Sequence, residues 1–128
     1  MYYYRRTRVF PIMHTFVLRT AVVQAEPWTA LSVYQAFVAA KRLAYERLYD
    51  TDALRVGLPW LIDAVESARA VFGPDIWDYS VEGSRPTLET LLRYLHEQGL
   101  AERRLQPEAL FAPSIRAGYE PYLRSFYR

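Results

Sequence analysis

Tyr2-Tyr-Tyr-Arg-Arg-Thr-Arg-Val-Phe-Pro-Ile-Met-His-Thr-Phe-Val-Leu-Arg19 is the stretch on which the fold turns. Its three tyrosines and the Val9-Phe10 pair have high strand propensity, whereas Pro11 removes a ladder donor and limits pairing locally. Phe16-Val17-Leu18 is a continuous apolar run rather than an alternation. That pattern suits a strand buried on both faces of a mixed or parallel sheet. Residues 2 to 19 are therefore expected to be extended, with Thr20 placed to cap a short helix through Ala25.

Downstream the periodicity becomes helical. Pro27 suits a first turn because its missing N–H would be unpaired there anyway. From Pro27 to about Tyr49, Val33, Phe37, Ala40, Ala44 and Leu48 form one stripe, which Leu31, Tyr34, Val38 and Tyr45 widen. Lys41, Arg42, Glu46 and Arg47 occupy much of the remaining face. Asp52 is suited to cap a further helix that Gly57 and Pro59 divide. Its second piece, from about Pro59 to Phe72, turns Leu61, Ile62, Val65, Ala68 and Phe72 inward and stops at Gly73. The loop after Gly73 carries Ile76, Trp77 and Tyr79, and bulky residues in a loop imply that it lies against something. A third helix spans about Pro86 to Gln98, with Leu88, Leu91, Leu92 and Leu95 inside and Gly99 as terminator. Pro107 begins a last turn anchored by Leu110 and Phe111, and beyond Pro113 the pattern is lost.

Three wide apolar faces thus meet at most one or two strands. An isolated strand leaves a row of backbone donors and acceptors unpaired. Two arrangements resolve this: a helical bundle with an extended start, or a set of elements whose sheet is encoded elsewhere. The buried type of the early strand favours the second.

Composition sets wide bounds. A chain of 128 residues accommodates one core. The 52% hydrophobic and 23% charged shares are those of a globular protein, and a net charge of +2 is too small to specify a nucleic-acid partner. Cysteine is absent, which excludes disulfides, thiolate chemistry and cysteine-based zinc sites. No run approaches the roughly 20 apolar residues of a membrane span, and Met1-Tyr-Tyr-Tyr-Arg-Arg lacks the apolar stretch of a secretory signal. Lys41 is the one lysine among many arginines, a bias read here as one of base composition.

Residues 1 to 25 hold Arg5, Arg6, Arg8 and Arg19 and no acid. Arginine forks interleaved with Tyr2, Tyr3, Tyr4 and Phe10 suit solvated or structural roles, a small anion, or a nucleic acid. His14 sits in the apolar extended segment just before Thr15, as a structural hydrogen-bonding residue or as an acid. His96 lies near the end of the third helix, where the helix dipole favours a cation. Asp50 and Asp52 read as caps rather than metal ligands. Trp28, Trp60 and Trp77 read as packing residues. No nucleophile motif or phosphate loop is present.

The pieces Tyr3-Tyr-Arg-Arg-Thr7, Phe10-Pro-Ile-Met-His-Thr15, Pro27-Trp28 and Ala36-Phe-Val-Ala-Ala-Lys-Arg-Leu-Ala44 form an ordered series. Leu58-Pro-Trp-Leu61, Thr87-Leu-Glu-Thr-Leu-Leu-Arg-Tyr94, His96-Glu-Gln-Gly-Leu100 and Pro107-Glu-Ala-Leu-Phe-Ala-Pro113 continue it. The series resembles the carboxy-terminal part of the 4,5-dihydroxyphthalate decarboxylase family, which is similar in fold to the type II periplasmic binding proteins. The resemblance covers residues 2 to 113. It implies an α/β fold of which this chain is the carboxy-terminal, mostly helical portion, residues 1–113, followed by a divergent or disordered tail, 114–128. The amino-terminal lobe and most of the sheet would be missing. Arg8 stands where the family pattern has a glycine.

The function implied is non-oxidative decarboxylation of a hydroxylated aromatic dicarboxylate, with this chain inactive alone. His14 would be proton donor or ligand orienter, Arg5 or Arg6 would hold a carboxylate, and Thr15 would add a hydrogen bond. The expected partners are a small aromatic carboxylate or other small anion and the missing amino-terminal lobe, with no nucleic acid, no membrane span and no metal; the cofactor is left open. The expected location is cytoplasmic. Alternatives are a solute-binding protein fragment of a transporter, which would be periplasmic, and a freestanding helical interaction protein.

Overall fold

The computed structural model of the chain describes residues 1–50, 52 and 56–118. Every regular element among them is helical: α1 (Tyr2–Thr7), α2 (Thr20–Ala25), α3 (Trp28–Leu48), α4 (Leu61–Phe72), α5 (Arg85–Glu97), a 3-10 turn (Pro107–Leu110) and α6 (Pro113–Gly118). The chain divides into two compact units. One comprises residues 1–34 and those from Tyr79 onward; the other is Gln35–Asp78.

The expected early strand does not form. Tyr2–Thr7 winds into a helical turn and a half, closed by the Arg5 N–H on the Met1 carbonyl at 3.1 Å and the Arg8 N–H on the Tyr4 carbonyl at 2.7 Å. Strand propensity is a preference for a pleated, half-buried surface. Among the described residues no strand offers that surface, and local bonds win. Residues 8–19 then run without regular structure. Phe16 and Val17 are 75% and 88% exposed, the reverse of burial on two faces. Thr20 does not cap α2 but is its first residue, with Arg19 at the cap position and no side-chain bond there.

The long helix α3 agrees closely in extent with its apolar pattern and buries most of the expected face. Ala30, Val38 and Lys41 are buried and Tyr34 and Tyr45 half-buried, whereas Ala40 and Ala44 are exposed. Val33, Phe37 and Leu48 of the expected stripe are half-buried, and Tyr34, Val38 and Tyr45 are the residues expected to widen it. The departure is Lys41, which joins the inward face while Arg42, Glu46 and Arg47 stay outside.

In α4 the inward side chain is Val65, with Leu61, Ile62, Ala68, Val71 and Phe72 half-buried. Gly73 ends the helix with φ 89° and donates its N–H to the Arg69 carbonyl at 2.8 Å. The helix expected from Asp52 falls largely on residues 51 and 53–55, outside those described. Asp52 itself donates its N–H to the Asp50 carboxylate at 3.1 Å, a local turn bond.

On α5, Leu88 and Leu92 are buried and Leu95 half-buried, but Leu91 is 48% exposed. Pro107, rather than Leu110 or Phe111, is the fully buried residue of the 3-10 turn that packs against α5. Trp28 and Trp60 are exposed instead of packed. Beyond Pro113 the chain continues as α6 to Gly118, and residues 119–128 of the expected tail lie outside those described. The chain is thus mostly helical. No helix among the described residues is long and apolar enough to cross a membrane.

Candidate functional site

One hydroxyl fixes the start of the chain. Thr87, in the first turn of α5, accepts the Phe10 N–H at 3.0 Å and donates to the Phe10 carbonyl at 3.1 Å. It satisfies both backbone groups of one residue, as a neighbouring strand would. Tyr4 stands edge-on to the Phe10 ring, with centroids 6.3 Å apart and planes at 82°. Thr7 completes the turn: its hydroxyl donates to the Tyr3 carbonyl at 2.8 Å and accepts the Val9 N–H at 3.2 Å. Between Thr7 and Val9, Arg8 takes φ 59° and ψ 12°. A side chain is strained in that left-handed region and glycine is not, which is the physical sense of a glycine in the resembled pattern. The Arg8 guanidinium lies 5.5 Å from the Tyr4 ring centroid.

Arg5 and Arg6 occupy the last turn of α1. Adjacent helical positions leave the backbone about 100° apart. The Arg6 guanidinium sits 5.8 Å from the Tyr2 ring centroid. His14 and Thr15 lie on the irregular segment and are exposed. Among the described residues no hydrogen bond, ion pair or ring contact joins any of these four residues to another of them.

Beside this segment, a groove of about 270 Å³ is lined by Thr7, Pro86, Glu89, Thr90, Arg93 and Arg104. Arg85, next to the lining Pro86, is bonded to Glu82 at 3.0 Å, paired with Glu89 at 3.5 Å and bonded to Glu108 on the 3-10 turn. Glu108 first, and then Glu82, push the Arg85 pKa above its ordinary value. Sequence reasoning missed both Thr87 and this groove, because each depends on residues about 80 positions apart meeting on α5.

The second unit holds a buried charge network. Lys41 Nζ places its three protons on Asp75 Oδ1 at 2.9 Å, Asp75 Oδ2 at 2.7 Å and the Trp77 carbonyl at 2.8 Å. The two side chains are 5% and 10% exposed. Tyr45 accepts the Trp77 N–H at 3.0 Å and directs its own hydroxyl toward Asp75 Oδ1 at 3.4 Å. Burial pushes the Tyr45 pKa well above its ordinary value; the Trp77 N–H opposes this and the Asp75 charge adds to it. Tyr49 is raised chiefly by burial, against the Arg69 guanidinium 4.9 Å over its ring. Lys41, expected on the solvent face, is therefore a buried staple that pins the loop after α4. A compact ammonium with three rotatable donors fits this site better than a planar fork. The solitary lysine was the signal for it.

His96 is placed as expected in the last turn of α5, where its Nδ1 donates to the Ala101 carbonyl at 3.2 Å.

No protein-family model matches the chain. Comparison with curated proteins does place a relative among the decarboxylases. That relative is 4,5-dihydroxyphthalate decarboxylase of Comamonas testosteroni, 38% identical over 112 residues, a match covering 88% of this chain and 34% of the relative. The chain is related to that decarboxylase and spans about a third of its length.

Proposed function

We propose that this chain is one part of a carboxy-lyase that decarboxylates a hydroxylated aromatic dicarboxylate, completed by an amino-terminal lobe and inactive without it. The observation that carries this reading is the 38% identity over 88% of the chain to 4,5-dihydroxyphthalate decarboxylase. The acid-free segment with Arg5, Arg6 and His14 supplies the chemistry such a reaction asks of it. In this reading the fold is a two-lobed, periplasmic-binding-protein-like one of which this chain is the carboxy-terminal portion, and the enzyme is cytoplasmic.

The substrate carries a hydroxyl para to each carboxylate. Electron release from that hydroxyl makes the carboxyl-bearing ring carbon basic. His14, as imidazolium, gives that carbon a proton, and histidine is the side chain suited to do so near neutral pH. The bond to the carboxylate then breaks, its electron pair returns to the ring and CO2 leaves. Arg5 or Arg6 holds the second carboxylate through a charge-assisted bond, and Thr15 orients the substrate.

The test replaces the histidine matching His14 with alanine in the full-length relative. Turnover should fall by about 10²–10⁴-fold with substrate binding retained. Unchanged turnover would remove His14 from the mechanism. Binding without turnover in the unaltered full-length protein would replace the enzyme reading by one of ligand capture.

A further inference from the structure

The groove beside α1 brings two arginines, one carboxylate and two hydroxyls around a volume of about 270 Å³. Its donors and acceptors are sorted. The Thr7 hydroxyl proton is committed to the Tyr3 carbonyl and that of Thr90 to the Pro86 carbonyl at 2.7 Å. The Thr90 oxygen is thereby left as an acceptor, while the Thr7 oxygen also takes the Val9 N–H at 3.2 Å. Glu89 is likewise an acceptor, and its charge is partly met by Arg85 at 3.5 Å.

The donors are Arg93 and Arg104. Arg93 approaches Glu97 no closer than 3.9 Å, beyond hydrogen-bond range and through Nε. Its guanidinium lies 5.0 Å from the Tyr94 ring centroid, a contact that leaves its terminal nitrogens able to donate. Arg104 is exposed and has no hydrogen bond or ion pair among the described residues. A ligand that matches this arrangement has an oxyanion for the two guanidinium groups and a hydroxyl for Glu89 or a threonine oxygen.

We propose that the α1–α5 groove is a binding site for a small hydroxylated carboxylate, with Arg93 and Arg104 clamping the carboxylate and Glu89 accepting the hydroxyl. The groove follows from its own geometry; the choice of an aromatic hydroxy-acid as ligand rests on the decarboxylase reading. The Thr87 clamp on Phe10 fixes one wall, because it holds the turn containing Thr7 against α5.

The 128-residue chain is titrated with phthalate, 4-hydroxyphthalate and inorganic phosphate, followed by NMR shifts of the Thr90, Arg93 and Arg104 signals. Saturable shifts at those three residues are expected, with 4-hydroxyphthalate the tightest. Arg104→Ala and Arg93→Ala should each weaken it about tenfold, and Arg104→Glu should abolish it; Arg104 is exposed, so these changes leave the fold in place. Glu89→Gln should tighten phosphate and erase the preference for the hydroxylated compound. Shifts that map elsewhere, binding indifferent to Arg104→Glu, phosphate as the tightest of the three or absence of saturation would each overturn the site. The two readings fail separately. Loss of turnover in the His14 variant of the full-length protein with a silent groove removes only the groove. A responsive groove with the histidine dispensable removes only the mechanism.

Discussion

Lys41 and Asp75 show how much one residue settles. Each charge alone would be costly so far from water, and the pair is tolerated because all three ammonium protons find oxygens. Lys41→Met should destabilise the Gln35–Asp78 unit by about 3–5 kcal/mol, or to the limit of that unit's own stability, because it strands the Asp75 carboxylate. Amide exchange at Trp77 reads this directly, and Lys41→Met with Asp75→Leu should recover much of the loss. Lys41→Arg should not behave as conservative: a rigid fork cannot place three protons where one ammonium does. Arg8 is a milder case. Left-handed backbone costs a side chain about 1–2 kcal/mol, but glycine gives back unfolded-state entropy and loses the Tyr4 contact. Arg8→Gly should therefore shift stability by less than about 1 kcal/mol, and Arg8→Val should lower it visibly in the same exchange measurement.

At the scale of elements, α5 organises the first unit through Thr87. Thr87→Val keeps the shape and removes both bonds to Phe10, a loss of about 1–2 kcal/mol for two bonds. Its sign is faster exchange of the Phe10 N–H and faster proteolysis between residues 8 and 19; Thr87→Ser should preserve both. On α3 and just beyond its end, Tyr45 and Tyr49 give a pH signature. Both have folded pKa values above the ordinary 10.0, so the folded form holds protons that the unfolded form has released. Their contribution is complete below about pH 10 and is lost as pH rises through the folded values. Absorbance titration should show Tyr45 ionising well above the ordinary tyrosine value of 10.0. Tyr45 titrating at that ordinary value would contradict the network.

For the whole molecule, the balance of covered and uncovered apolar surface matters most. The buried apolar side chains among the described residues include Ala30, Val38, Val65, Leu88 and Leu92, while Ile12, Met13, Phe16, Val17, Trp28 and Trp60 are exposed. A chain with two compact units and so much uncovered apolar surface should not melt in one step. Calorimetry of the 128-residue chain should give a calorimetric enthalpy above the van't Hoff value. A single cooperative monomeric transition would count against the proposal that further chain completes the fold.

Read without coordinates, the amino-acid order determines the local facts. Pro27, Gly73, Pro86, Gly99 and Pro107 punctuate the helices near their observed ends, since caps and breakers act over a turn or less. It also carries the relationship to the decarboxylase, over 112 residues. Tertiary structure alone decided that Lys41 turns inward on α3, because its partner Asp75 lies 34 residues away. Tertiary structure also decided that Tyr2–Thr7 is helical, since a strand exists only where a partner strand accepts its bonds. The anchoring of Phe10 by Thr87 and the groove beside it belong to the same class. Long-range contacts create them, and no local pattern encodes a contact 77 residues away.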